Sequence, residues 1–194
     1  MSPLGRRPVK GKGLAGPRWA QSTGPMTDIE GKKRPKGTAR DRALGLLAVR
    51  WRSQSEIERR LRMAGFEPEE IGETLIDLKR AGLVEDGRFA REMVRDQTTR
   101  RLAGDRAIRS ALLLKGVSRE ITDLAIEEAG AEEARASALA SKAAARMAGL
   151  PRDTVHRRLF SLLVRRGYGP EVARGAVREA IADLEGIARA VDEP

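Results

Sequence analysis

From Thr38 onward, aliphatic side chains recur three and four positions apart, with Ala, Leu, Arg and Glu filling the gaps between them. That period matches one face of an α-helix, and the strict alternation of a half-buried strand does not replace it anywhere in this stretch. An all-α body is predicted. Helix starts are readable: Thr38 with Asp41 and Ser53 with Glu56 have capping-box spacing, Asp86 and Asp153 read as N-caps, and Pro170 suits a first helical position after Gly169. Helix stops are readable as well. Gly65, Gly82, Gly116, Gly130, Gly149 and Gly167 each follow an apolar helical run, where a residue without a Cβ can take the left-handed conformation that ends it.

Three of these glycines, 65, 116 and 167, lie at a constant interval of 51 residues and expose an internal repeat. Eight positions before them stand Ile57, Ile108 and Leu159, and four before stand Leu61, Leu112 and Leu163. One after stand Phe66, Val117 and Tyr168, and ten after stand Leu75, Ile126 and Val177. Each unit is predicted to hold three helices, with boundaries at 38–84, 85–131 and 132–188. A bundle of that size alone buries too small a fraction of its surface, so the units are expected to stack on their neighbours into an elongated array. In the middle unit the second helix carries Ile108, Ala111, Leu112, Leu113 and Leu114, apolar on nearly all sides, which predicts cover from both neighbours. A long surface of this kind suits a long partner better than a small-molecule substrate.

Charge is distributed unevenly. Residues 1–37 hold nine Lys and Arg against Asp28 and Glu30, while the rest of the chain carries 29 basic and 26 acidic side chains. The same segment holds seven of the 20 Gly and five of the nine Pro, with few aliphatics, so a disordered basic tail is expected over 1–37. Gly11, Gly13 and Gly16 satisfy G-x-G-x-x-G, but no strand precedes them and no apolar helix follows, so a phosphate would find no helix N-terminus there. No signal-peptide core and no membrane-length apolar run is present, which points to a soluble cytoplasmic chain.

Cys and Asn are absent and His156 is the only imidazole, so thiolate chemistry, histidine metal sites and the common nucleophilic triads lack raw material. His156 sits beside Arg157 and Arg158 and reads as structural or exposed. The acids fall at helical spacing from arginines, Glu56 with Arg59 and Arg60 and Glu92 with Arg95, leaving no acid/base pair in view. No catalytic residue, cofactor or metal is expected. Trp51 and Phe66 border aliphatic patterns and read as core fillers. Arg88, Arg91 and Arg95 form a stripe at i, i+3 and i+7 opposite Phe89 and Met93, either a solvated helix face or a contact for phosphates or an acidic groove. Arg59 and Arg62, Arg100 and Arg101, Arg109 and Lys115, and Arg157 and Arg165 pose the same choice.

The segment from Leu78 to Ala90, Leu-Lys-Arg-Ala-Gly-Leu-Val-Glu-Asp-Gly-Arg-Phe-Ala, resembles the G-L-[IV]-[DE]-D-x-x-F-A stretch of the RecX regulatory proteins of bacteria. Gly104, Ile108, Leu112 and Lys115-Gly116-Val117 fit that family's G-x-x-x-I-x-x-x-L-x-x-K-G-[IV]. Arg52-Ser53 with Glu56-Ile57, followed by Leu61 and Gly65, fits its R-S-x-x-E-[IL] opening. The likeness covers about residues 38–130, and the third unit follows by repeat logic. Ala107 and Ala111 depart from it, standing where the family commonly has Arg and Glu. The resemblance implies a non-enzymatic protein that lies in the groove of the RecA recombinase filament and restrains strand exchange, ATP hydrolysis and co-protease activity. It also implies structural roles for Asp86, as an N-cap, and Phe89, as a core anchor joining units one and two. An elongated, basic body without a cofactor is also the shape expected to bridge successive protomers of a filament and meet the DNA inside it, and a monomer is expected. Single- or double-stranded DNA bound without RecA is the alternative partner.

Overall fold

The computed structural model describes residues 37–192, with side chains through Gly186, and the expectations placed on the basic tail lie outside the described residues. Among these, the chain forms nine α-helices and no strand. They run α1 (Ala39–Val49), α2 (Gln54–Ala64), α3 (Pro68–Arg80), α4 (Asp86–Thr99), α5 (Asp105–Leu114), α6 (Arg119–Glu127), α7 (Glu132–Ala144), α8 (Arg152–Arg165) and α9 (Pro170–Asp192), with a 3-10 turn at Ala145–Met147. The helices pack in consecutive threes, α1–α3, α4–α6 and α7–α9. Each set encloses its own hydrophobic cluster. All twelve apolar positions that recur at the 51-residue interval are buried, four in each cluster. Burial of each large aliphatic side chain contributes about 1.5–3 kcal/mol, which is what selects this phase of the repeat.

Local signals set the helix ends. Thr38 and Asp41 form a reciprocal capping box on α1. Ser53 caps α2 by accepting from the Glu56 amide, but the Glu56 side chain does not return the bond because it is engaged elsewhere. The six stop glycines all have φ between +66° and +92°. Leu102 takes a comparable left-handed conformation, φ +47°, where α4 ends and the Ala103 amide reaches back to the Gln97 carbonyl. Its side chain packs into the cluster of the third helix set, and that burial holds a backbone conformation leucine otherwise avoids.

Two N-cap expectations are corrected. Asp86 is the first residue of α4, preceded by Glu85 at the cap, and its Oδ1 accepts from the Gln54 amide at the start of α2, 2.8 Å away. Asp153 is the second residue of α8, behind Pro151. In each case the acid sits one or two residues inside the helix, where its charge still favours the positive end of the dipole. Phe89 belongs to the second cluster alone, so Asp86 and not Phe89 ties the first two sets together.

The sets join through their second helices, which meet end to end in the order α8, α5, α2. The carbonyls of Lys115 and Gly116 at the end of α5 accept from the hydroxyls of Ser53 and Ser55 at the start of α2. At the next junction the carbonyls of Arg166 and Gly167 accept from the amides of Gly104 and Arg106, at 2.9 and 3.2 Å. Each junction pairs carbonyls left over at one helix C-terminus with donors at the next N-terminus and aligns the two dipoles. Where the first junction brings serine hydroxyls to the helix-end carbonyls, the second brings backbone amides to them, and the close backbone approach demands glycine. A Cβ on Gly104 would lie 2.4 Å from the Gly167 carbonyl carbon, and one on Gly167 would lie 2.4 Å from the Ala107 Cβ.

The cover expected from both neighbours is present, but only at the ends of α5. Its two ends are covered by α8 and α2, but Leu114 is 83% exposed and Leu113 39% exposed. End-to-end stacking hides helix termini and leaves the lateral face of the last turn open.

Candidate functional site

The described residues present no cluster of three or more His, Asp and Glu side chains able to hold a metal ion, and no helix long and apolar enough to cross a membrane. His156 is exposed and stacks on Phe160, centroids 6.4 Å apart. What the surface offers is arginine, and its arrangement separates groups already engaged within the protein from groups left free to meet a partner.

The strongest internal engagement is at the first junction. Glu56 is only 5% exposed, and its Oε1 lies 2.8 Å from both Arg50 Nη2 and Lys115 Nζ, the latter reaching across from the end of α5. Burial on its own would raise the Glu56 pKa, but the bonds from Arg50 and Lys115 outweigh it and hold the carboxyl at about 2. The partners expected from helical spacing, Arg59 and Arg60, point to solvent. Lys115 is therefore a joint between helix sets before it is a contact for anything outside.

At the second junction Ala107 occupies the position equivalent to Glu56, and other groups take over. Asp105 at the start of α5 is met by Arg135 Nη2 at 2.5 Å, while Glu132 Oε1 accepts from the Asp105 amide at 2.8 Å. Burial pushes both acids above their usual range, against the pull of Arg135 on each. Tyr168 donates to the Leu102 carbonyl at 2.8 Å, and burial raises its hydroxyl to about 12. Arg166 donates to the Arg101 carbonyl. Sequence reasoning missed this constellation. Its one legible trace is an acid at the first position of α4 and of α7, Asp86 and Glu132, each capping the second helix of the preceding set.

The arginine stripe of α4 is exposed, as its spacing predicts, and is balanced by neighbours. The Arg88 guanidinium sits 4.1 Å over the Trp51 ring, which is at the surface and not in the core as expected. Such a cation–π contact contributes about 0.5–1 kcal/mol. Arg91 reaches Glu85 at 3.4 Å. Arg95 shares a shallow depression with Glu92, Asp96 and Arg100, and Arg100 pairs with Asp96 at 3.2 Å. Elsewhere Arg62 pairs with Glu58 and Arg109 with Asp123. Arg59 and Arg101 are exposed, as are Arg157 and Arg165 on α8. The candidate residues are thus spread over α2, α4, α5, α8 and the turns that follow α4 and α5, and do not converge on one pocket.

A chain of three-helix sets has counterparts among known proteins. A family model described as "RecX, first three-helix domain" matches residues 39–78, and one described as "RecX, second three-helix domain" matches residues 86–126. "Regulatory protein RecX" of Corynebacterium efficiens is 38% identical over 160 residues, spanning 77% of this chain and 76% of that protein. The chain belongs to the RecX family. A second relative of the same name, from Amycolatopsis mediterranei, is 33% identical over 172 residues, 87% of this chain and 97% of its own. The crystal structure of RecX from Lactobacillus salivarius superposes with a TM-score of 0.67 over 73% of this chain and 94% of that one. At 22% identity that last likeness speaks for the fold.

Proposed function

We propose that this RecX-family chain is a non-enzymatic, cytoplasmic, monomeric regulator that binds the RecA recombinase filament in its groove and inhibits strand exchange, ATP hydrolysis and co-protease activity. The observation that carries this reading is the end-to-end register of α8, α5 and α2, which repeats one helical module at a fixed sequence interval. A partner built of identical protomers is the kind of surface that such a repeated module can meet more than once, and each further contact gains from the first. The three units 38–84, 85–131 and 132–188 act as the repeating elements, and the exposed arginines supply charge-assisted contacts.

The test is a pull-down with purified RecA, with and without single-stranded DNA and a nonhydrolysable nucleotide, followed by RecA ATPase measurements. Retention that depends on filament assembly, with slowed ATP hydrolysis, is expected. Equal binding to bare duplex with no preference for the filament would replace this reading with RecA-independent DNA binding.

A further inference from the structure

Helix α8 differs from the other arginine-bearing helices in how its charges are answered. Helix α4 sets Arg88, Arg91 and Arg95 against Asp86, Glu92 and Asp96, and sums to zero. Helix α8 sets Arg152, Arg157, Arg158 and Arg165 against Asp153 alone. Arg152 is taken by Glu185 at 3.0 Å, whereas Arg157, Arg158 and Arg165 have no carboxylate within ion-pair distance among the described residues. These three arginines, with Ser161, rim an open groove floored by Met147 and Leu162. Like charges so placed repel one another, and nothing in the packing requires them, because the side of α8 that meets the core is Val155, Leu159 and Leu163.

We propose that this groove is a phosphodiester-backbone site, through which the third helix set grips nucleic acid. Arg158 and Arg165 are seven residues apart, on one face and about 10 Å apart along the axis, so each guanidinium can meet a different phosphate of the same strand. Guanidinium forks match phosphate oxygens two at a time, the Ser161 hydroxyl adds a neutral donor, and the apolar floor accepts sugar or base. An acidic protein surface is the less fitting occupant. Contacts to a protein would be set by shape as well as charge, whereas an exposed row of arginines along an open groove suits a ligand whose charge repeats at short intervals. The proposal adds a DNA contact to the RecA reading without depending on it.

The experiment measures binding of the full chain to a labelled oligothymidine, and to its duplex, across a salt series, for wild type and for Arg157→Ala/Arg158→Ala/Arg165→Ala. Three lost phosphate contacts should lower the slope of log K against log salt by about 2 on the single strand, an affinity loss of about 100-fold at 0.1 M salt, and by nearly 3 on the duplex. The two slopes show which form of nucleic acid the groove takes. A triple Arg→Lys variant keeps the charge and should keep the slope while losing affinity, which separates charge loss from misfolding. An unchanged slope in the alanine variant, with helicity intact by circular dichroism, overturns the proposal. So does loss of RecA retention without DNA alongside undiminished oligonucleotide binding, because the face would then belong to a protein partner. If wild type ignores RecA yet the slope still falls as stated, the regulator reading fails and this site stands.

Discussion

Replacing Glu56 by glutamine removes the charge that holds the first two helix sets together and leaves shape nearly unchanged. The folded carboxyl is held at about 2 against an ordinary 4.5. At about 1.4 kcal/mol per unit, ionised Glu56 contributes about 3 kcal/mol to the folded state. Because the folded value is the depressed one, this stabilisation is present in full above about pH 5 and disappears as the pH falls toward 2. Arg50 and Lys115 are themselves partly solvated, so the variant loses attraction without stranding a buried cation. The assay is urea denaturation from pH 7 down to pH 2, read by Trp51 fluorescence in a Trp19→Phe background that leaves a single tryptophan. The stability gap between the parent protein and its Glu56→Gln variant should be about 3 kcal/mol at pH 7 and close to zero at pH 2. A gap of the same size at both ends of the range would show that hydrogen bonding or packing, and not charge, holds the junction.

Other expectations follow from single positions. Gly167→Ala forces a Cβ into Ala107 at positive φ and should cost about 3 kcal/mol, whereas Gly82→Ala, also at positive φ but with open space around it, should cost about 1, as thermal melts will show. The Thr122 hydroxyl is buried without a hydrogen-bond partner, so Thr122→Val should stabilise by about 1 kcal/mol, and a lower melting temperature would refute this. Leu114→Gln should leave stability within about 0.5 kcal/mol, since the last turn of α5 faces solvent; a large loss by urea denaturation would mean that this face is covered. Arg88→Ala/Arg91→Ala/Arg95→Ala should weaken inhibition of RecA ATPase if the α4 stripe meets the filament, and unchanged potency with intact folding removes the stripe from the mechanism.

Much of this fold can be read from one dimension. Helix periodicity, the stop glycines and the recurrence of Ile57, Ile108 and Leu159 with their companions are local or strictly periodic signals, and periodic burial follows directly from 3.6 residues per turn. The candidate arginines are also legible there, as exposed positions opposite an apolar stripe. Which of them are free is not. Glu56 has arginines at helical spacing, yet it pairs with Arg50 in the turn just before its helix and, because end-to-end stacking brings the end of α5 to the start of α2, with Lys115, 59 residues away. Trp51 reads as core along the chain and lies under Arg88 of the next helix set.

Sequence alone determined what each helix buries, since that depends on side-chain order along one segment. Only the tertiary structure decided how the helix sets are joined: Ser53 against Lys115, Gly104 against Gly167, Tyr168 against Leu102. Those contacts are made largely by polar backbone groups at helix ends, which every helix has and which carry no residue signature until a particular partner is brought within about 3 Å of them. The same join uses up some charges and leaves others unanswered, so the distinction between a structural cation such as Lys115 and a free one such as Arg158 exists only in three dimensions.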